Sequence, residues 1–215
     1  IKAPTTIHGL EQARAEFGEL PIFAAEASSH LQLAQLTDYG VNWVENDFFL
    51  TTRPIFKLWA DRQKSFLMES FYRAQRVRLG ILVDGKDPVG GQWNFDHENR
   101  LPPPKNYVWP PYFEHARDAL DLEVAGELNH QVTTTWATTR AGALAQLDYF
   151  IANHLQGFGP YEDAVTKENW ALHHSLLSPY LNVGLLHASE VIDAVVEAFE
   201  SGQAKIESVE AIVRQ

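Results

Sequence analysis

Hydrophobic spacing changes character once along this chain, near Arg53, and that change limits the folds open to it. Before it, Leu20–Ala25 is a short apolar run suited to a buried strand, Ser29–Leu36 has helical spacing, and Val41–Val44 is a second strand-like run. This is the αβ layer pattern of a sheet whose strands can run parallel. After it, Leu67, Met68, Phe71, Tyr72, Gln75 and Leu79 recur on one face at a helical period, with Arg73, Arg76 and Arg78 largely off that stripe.

Residues 84–111 carry Gly and Pro breaks and the run Leu101-Pro102-Pro103-Pro104, so they read as a long connector with a domain boundary near Pro104. Beyond it, Tyr112–Leu128 and Arg140–Leu155 are expected as amphipathic helices, the second capped by Thr139. Ala188, Val191, Ile192, Val195, Val196 and Phe199 mark a third helix, stopped by Gly202. Ser208 is expected to cap a last helix that no Gly, Asn or Pro closes; with no Met at the start, the chain reads as a fragment.

Composition narrows the chemistry. Hydrophobic residues are 45% of 215, which supplies a core and excludes intrinsic disorder. No stretch matches a bilayer span or a signal peptide, so a soluble, cytoplasmic protein is expected. The net charge of −11 opposes nonspecific attraction to nucleic acid, yet Arg53–Lys105 carries ten basic and six acidic residues. The absence of cysteine removes disulfides, thiolate nucleophiles and cysteine-held iron-sulfur or zinc sites from this chain.

The most informative local feature is His174-Ser175-Leu176-Leu177-Ser178-Pro179-Tyr180. Ser178 as N-cap and Pro179 at N1 predict a helix start whose free amides attract an anion, with the Ser175 hydroxyl three residues upstream. Such Ser-Pro starts are most often structural.

This run, with Phe158-Gly159-Pro160-Tyr161-Glu162-Asp163-Ala164 before it, resembles the flavin-binding region of the photolyase and cryptochrome superfamily. It is similar in particular to the bacterial iron-sulfur branch of deoxyribodipyrimidine photolyase-related proteins. His174 stands where that superfamily usually has Thr. Asp47-Phe48-Phe49-Leu50-Thr51-Thr52-Arg53, Met68–Arg73 and Val89–Arg100 resemble the end of that branch's antenna domain and the start of its linker, in the same order.

The resemblance implies an α/β N-terminal part, the remnant of a doubly wound antenna domain with its linker, over residues 1–104. It implies part of an all-α FAD-binding domain over 105–215, so the whole is mainly helical. It implies FAD held by Ser175, Leu176, Leu177 and Ser178, with His174 and Tyr161, and a ribityllumazine antenna in the intact protein. Glu162 and Asp163 would repel a pyrophosphate and are expected to contact a helix start or an Arg instead. Catalysis in the intact protein would be electron transfer from light-excited reduced FAD to a (6-4) photoproduct in DNA. The family's cluster cysteines and lesion-facing histidines have no counterpart here, so this chain alone is expected to be inactive and to carry no iron-sulfur cluster.

Other readings carry less. His173 and His174 are adjacent and cannot ligate one ion from a helix. Asp96-His97-Glu98 reads as a solvated loop more readily than as a metal site, so no metal is expected. No Gly-x-Ser-x-Gly elbow is present. Arg73, Arg76 and Arg78 could track a nucleic-acid backbone, but a solvated helix face or ion pairs to the acidic helical half explain them more simply. The six Trp are read as core before any electron-transfer chain. The alternative function is a cryptochrome-like photoreceptor or a non-catalytic interaction domain.

Overall fold

The computed structural model describes residues 1–97, 99–117, 119–127 and 134–215, without the side chains of Ala119 and Leu120. The molecule is mainly helical. Its contacts divide it into two units, Ile1–Arg62 and Gln63–Gln215.

The first unit holds α1 (Thr6–Phe17), β1 (Phe23–Ala25), α2 (His30–Asp38), β2 (Asn42–Val44) and α3 (Arg53–Ala60). The strands pair in parallel, Phe23 opposite Asn42 and Ala25 opposite Val44, around the α2 crossover that the sequence alternation predicts. Ser29 caps α2 by accepting from the Gln32 amide. Val41 is the one buried residue of the unit, and none of its three helices buries a side chain. Polar links hold the chain together instead: Trp43 Nε1 donates to Thr37 Oγ1 (2.8 Å), and Asn42 Nδ2 to the Ile22 carbonyl (3.1 Å).

The second unit opens with α4 (Met68–Leu79), a two-residue hairpin pair β3 (Val83–Asp84) and β4 (Asp87–Pro88), and a 3-10 turn at Val89–Gly91. It continues with α5 (Ala119–Glu127), α6 (Arg140–Asn153), α7 (Leu155–Tyr161), α8 (Ser178–Asn182), α9 (Ala188–Glu200) and α10 (Ile206–Arg214). Phe150, Leu155, Leu186, Val195 and Val209 form the centre of one apolar core between α6, α7, α9 and α10. Fully burying such side chains is worth about 1.5–3 kcal/mol each. Gly159 lets α7 and α10 touch: a Cβ there would lie 2.9 Å from the Ser208 main chain. Ser208 accepts from the Gly159 amide at that contact (3.0 Å).

Several expectations change here. Ser208 is inside α10, whose N-cap is Lys205, because its hydroxyl is used across the α7 contact rather than on its own helix. The helix expected over Tyr112–Leu128 is α5, which starts at Ala119; Asp118 and Leu128 lie outside the described residues. Leu67 and Met68, placed on the buried stripe of α4, are exposed, and Arg76, placed off it, is 1% exposed. The guanidinium wins the interior because it donates to three carbonyls at once, those of Ile81, Leu82 and Trp93. Arg73, read as on a solvated face or paired to the acidic helical half, pairs instead within its own helix, with Glu69 (2.7 Å).

The connector also packs further than its composition suggests. Buried Glu210 on α10 accepts from the Tyr72 hydroxyl (2.7 Å) and the Phe95 amide (3.2 Å). Contacts of this kind join residues 63–104 to the helical unit, so the contact division falls after Arg62, whereas the motif boundary in the sequence falls near Pro104.

Candidate functional site

The segment between α7 and α8 is an irregular turn fixed from several sides. Asn169 Oδ1 accepts from the amides of Ala171 (3.0 Å) and Leu172 (2.6 Å) and from the Tyr112 hydroxyl (2.8 Å). Leu172 and Leu176 take left-handed backbone conformations, φ +50° and +58°, which cost a non-glycine residue about 1–3 kcal/mol. The surrounding core maintains them. Leu177 and Tyr180 are buried, and the Tyr180 hydroxyl accepts from the Ala137 amide (3.0 Å). Gln146 Nε2 donates to the Ser175 carbonyl (3.1 Å).

Ser178 is the first residue of α8 rather than its N-cap; Leu177 takes that place without a side-chain cap. Ser175 supplies the local hydroxyl, accepting from the Leu177 amide (3.4 Å), which leaves Ser178 at the surface. The amides of Ser175, Leu176 and Ser178 have no acceptor among the described residues. Uncharged donors of this kind suit phosphate oxygens. Leu177 contributes an inward anchor, its side chain in the core.

Both carboxylates of the neighbouring motif are engaged by other side chains. Glu162 accepts from Arg214 (3.1 Å) and Gln215 (2.7 Å), and Asp163 pairs with Arg100 (3.5 Å), so both acids meet arginine as expected. His174 packs its ring edge-on against Phe158, centroids 5.9 Å apart. Burial pushes its pKa down while the charge of Glu162 opposes that, so it is not a fixed cation.

Tyr161 belongs to a ring cluster around His173, next in sequence to the turn. Its ring stacks on His173 at 17° and 5.9 Å, and Tyr107 and Trp109 close the same cluster. His173 is 4% exposed, and its Nε2 is 2.9 Å from the Tyr107 hydroxyl. Burial, then the nearby His154 and His174, hold its pKa down to about 4. Gly157 makes room for this imidazole, since a Cβ there would lie 2.6 Å from the ring. The two adjacent histidines thus face different neighbours, Tyr161 and Phe158. Among the described residues no three His, Cys, Asp or Glu gather as a metal site; Asp96 pairs with Arg214 (2.7 Å), and Glu98 lies outside the described residues.

Each unit also holds a hollow of its own. One of about 330 Å³ lies at the start of α6, lined by His115, Arg117, Thr139 and Gly142 among others. The other, about 250 Å³, lies past the C-terminal ends of β1 and β2, lined by Glu26, Asn46, Phe49, Thr52 and Arg53. Open parallel sheets receive ligands at that end. Arg53 shapes this hollow by pairing with Glu26 (2.6 Å) and donating to the Ala27 carbonyl (3.2 Å), and Thr52 Oγ1 is buried there without a partner.

Sequence reasoning missed Tyr107, Trp109, His154 and Gly157. Gly157 offered one signal, a glycine inside a helical run. Tyr107 and His173 lie too far apart in the chain for any spacing rule to pair them.

Comparison with known proteins agrees with the motifs. The model of the deoxyribodipyrimidine photo-lyase-related protein family matches residues 14–142. A (6-4) photolyase of Agrobacterium fabrum is 38% identical over 175 residues, covering 78% of this chain and 34% of that protein. The chain therefore spans about a third of the length of this curated relative. The turn at 174–178 lies beyond the family match, and the αβ layer and connector lie largely within it; on that match this chain belongs to the deoxyribodipyrimidine photo-lyase-related protein family.

Proposed function

We propose that this chain is part of a light-driven flavoprotein that repairs (6-4) pyrimidine photoproducts in cytoplasmic DNA, and that residues 174–178 hold the phosphates of its FAD. The observation that carries this reading is the set of unclaimed amides at Ser175, Leu176 and Ser178, held in a strained turn beside two serine hydroxyls. Ser175, Leu176, Leu177 and Ser178 would bind the phosphates and ribityl chain, with His174 and Tyr161 at the margin. When bound, FAD supplies light absorption and single-electron transfer to the lesion. The protein's own work is to orient it: Gln146 and Asn169 fix the turn, and Leu177 and Tyr180 root it in the core.

In this reading residues 1–104 are the end of a doubly wound antenna domain with its linker, and residues 105–215 begin the helical FAD domain. The hollow past β1 and β2 is then the place for a ribityllumazine antenna. The family's iron-sulfur branch fits the motifs, although the chain has no cysteine to offer a cluster.

The test is spectroscopic. The purified protein, mixed with FAD, should turn yellow and retain flavin through gel filtration. Ser175→Ala with Ser178→Ala should cut occupancy about tenfold, the loss of one or two charge-assisted hydrogen bonds. Unchanged occupancy rejects the turn as the phosphate site. A yellow intact protein that leaves (6-4) lesions unrepaired under blue light favours the photoreceptor reading.

A further inference from the structure

One buried histidine has no task in the flavin reading. His115 precedes α5 and is 6% exposed, its ring packed edge-on against Phe113 (centroids 4.8 Å) and its amide held by the Thr134 carbonyl (2.8 Å). Its Nε2 lies 3.3 Å from the hydroxyl of buried Tyr180 on α8. That hydroxyl oxygen already accepts from the Ala137 amide (3.0 Å). Its own proton needs an acceptor, because a buried O–H left unpaired forfeits a hydrogen bond. Among the described residues His115 Nε2 is the acceptor it has. The imidazole therefore keeps the Nε2 lone pair and carries its proton on Nδ1. Burial favours this neutral form by lowering the His115 pKa; a hydrogen bond with Gln146 opposes the shift and the Arg117 charge adds to it.

The same neighbours lead to the phosphate turn. Tyr180 anchors α8, whose first residue is Ser178, and its amide donates to the Leu177 carbonyl (3.0 Å). Gln146 holds the Ser175 carbonyl (3.1 Å). Between these two holds sits Leu176 at φ +58°, a conformation that persists only where the surroundings over-determine it.

We infer that His115 is a positioning residue for that turn: its neutral ring takes the Tyr180 hydroxyl proton, fixes α8, and so keeps Leu176 strained and the amides of Ser175, Leu176 and Ser178 unclaimed. It acts through Tyr180 rather than on a ligand. Removing the acceptor strands a buried hydroxyl proton, and the repair is for Tyr180 to turn away and let the strained residue relax. The benefit to a flavin rests on the reading above; the hydrogen bond and its hold on the turn do not.

The test first reads the turn without a flavin. In the unsubstituted chain, imidazole nitrogen NMR at pH 7 should show His115 neutral and protonated on Nδ1. A proton on Nε2 overturns the inference whether or not any variant folds. Amide hydrogen exchange is then compared at Ala137, Leu177 and Tyr180 and, as a reference for global opening, at Val195 in the core of α9. His115→Leu should speed the first three about tenfold beyond any change at Val195, the scale of one buried hydrogen bond. His115→Gln, which offers a carbonyl oxygen in place of Nε2, should restore them. In a Tyr180→Phe background His115→Leu should add nothing, since its partner is gone. No acceleration, equal acceleration at all four amides, or an undiminished effect in that background overturns the positioning role. FAD titration follows, and His115→Leu should weaken binding about tenfold. An unsubstituted chain that binds no FAD while the three amides respond as expected sinks the flavin reading alone. FAD bound equally by both chains, with the amides unmoved, sinks the positioning role alone.

Discussion

The two units of this chain solve the problem of holding backbone in place by different means. Among the described residues, the helical unit encloses sixteen buried hydrophobic residues in one cluster, while the αβ unit buries Val41 alone. Phe23 on β1 is 65% exposed and Leu31 on α2 67%. Parallel strands are ordinarily covered on both faces, and these are not. The αβ unit relies on pinned ends: Asn42 on Ile22, Asn46 on Glu26, and Arg53 on Glu26, Ala27 and Ser28. Exposed polar links of this sort each contribute ~1 kcal/mol or less. Most of the stability must therefore lie in the helical unit, which also carries the strained turn and can maintain it.

The sharpest way to break this contrast is to remove core volume. Phe150→Ala should cost about 3–5 kcal/mol in urea titration, whereas Val41→Ala should cost only about 1 kcal/mol. Equal losses would show that the αβ unit has more core than its burial indicates. Arg76→Met comes next, at roughly 3 kcal/mol, because it strands buried carbonyls of Ile81, Leu82 and Trp93. Gly157→Ala should follow at about 1–3 kcal/mol and shift the near-ultraviolet dichroism, since the new methyl displaces the His173 ring.

Acid should act on the helical unit through the same ring. Folding holds the His173 pKa down, from about 6.5 to about 4. The folded state therefore binds fewer protons than the unfolded one between those values, and the stability is full above 6.5 and lost as pH falls toward 4. Melting temperature followed through that window should drop in the unsubstituted protein and drop less in His173→Phe. Smallest of all, Ser178→Ala should change stability by no more than about 0.5 kcal/mol, as surface changes do. A larger loss would make that serine structural.

Much of the helical unit could be read from periodicity. The i, i+3, i+4 run from Ala188 to Phe199 is α9, and Thr139 caps α6 as its position suggests. The crossover between β1 and β2 was equally plain. What failed were places where a side chain serves a distant element: Arg76 went inward to reach carbonyls of the connector, and Ser208 gave its hydroxyl to α7. Propensity describes a residue among its neighbours in the chain and says nothing of such partners.

The candidate site divides the same way. The family, the order of motifs and the serine-bearing turn were legible in the chain, because those depend on residues close together in it. Folding was needed to put Ser178 at the surface and not at the cap, Glu162 against Arg214, and His173 against Tyr107. Those outcomes depend on which elements pack together, and packing is settled by the whole core at once rather than by any local run of residues.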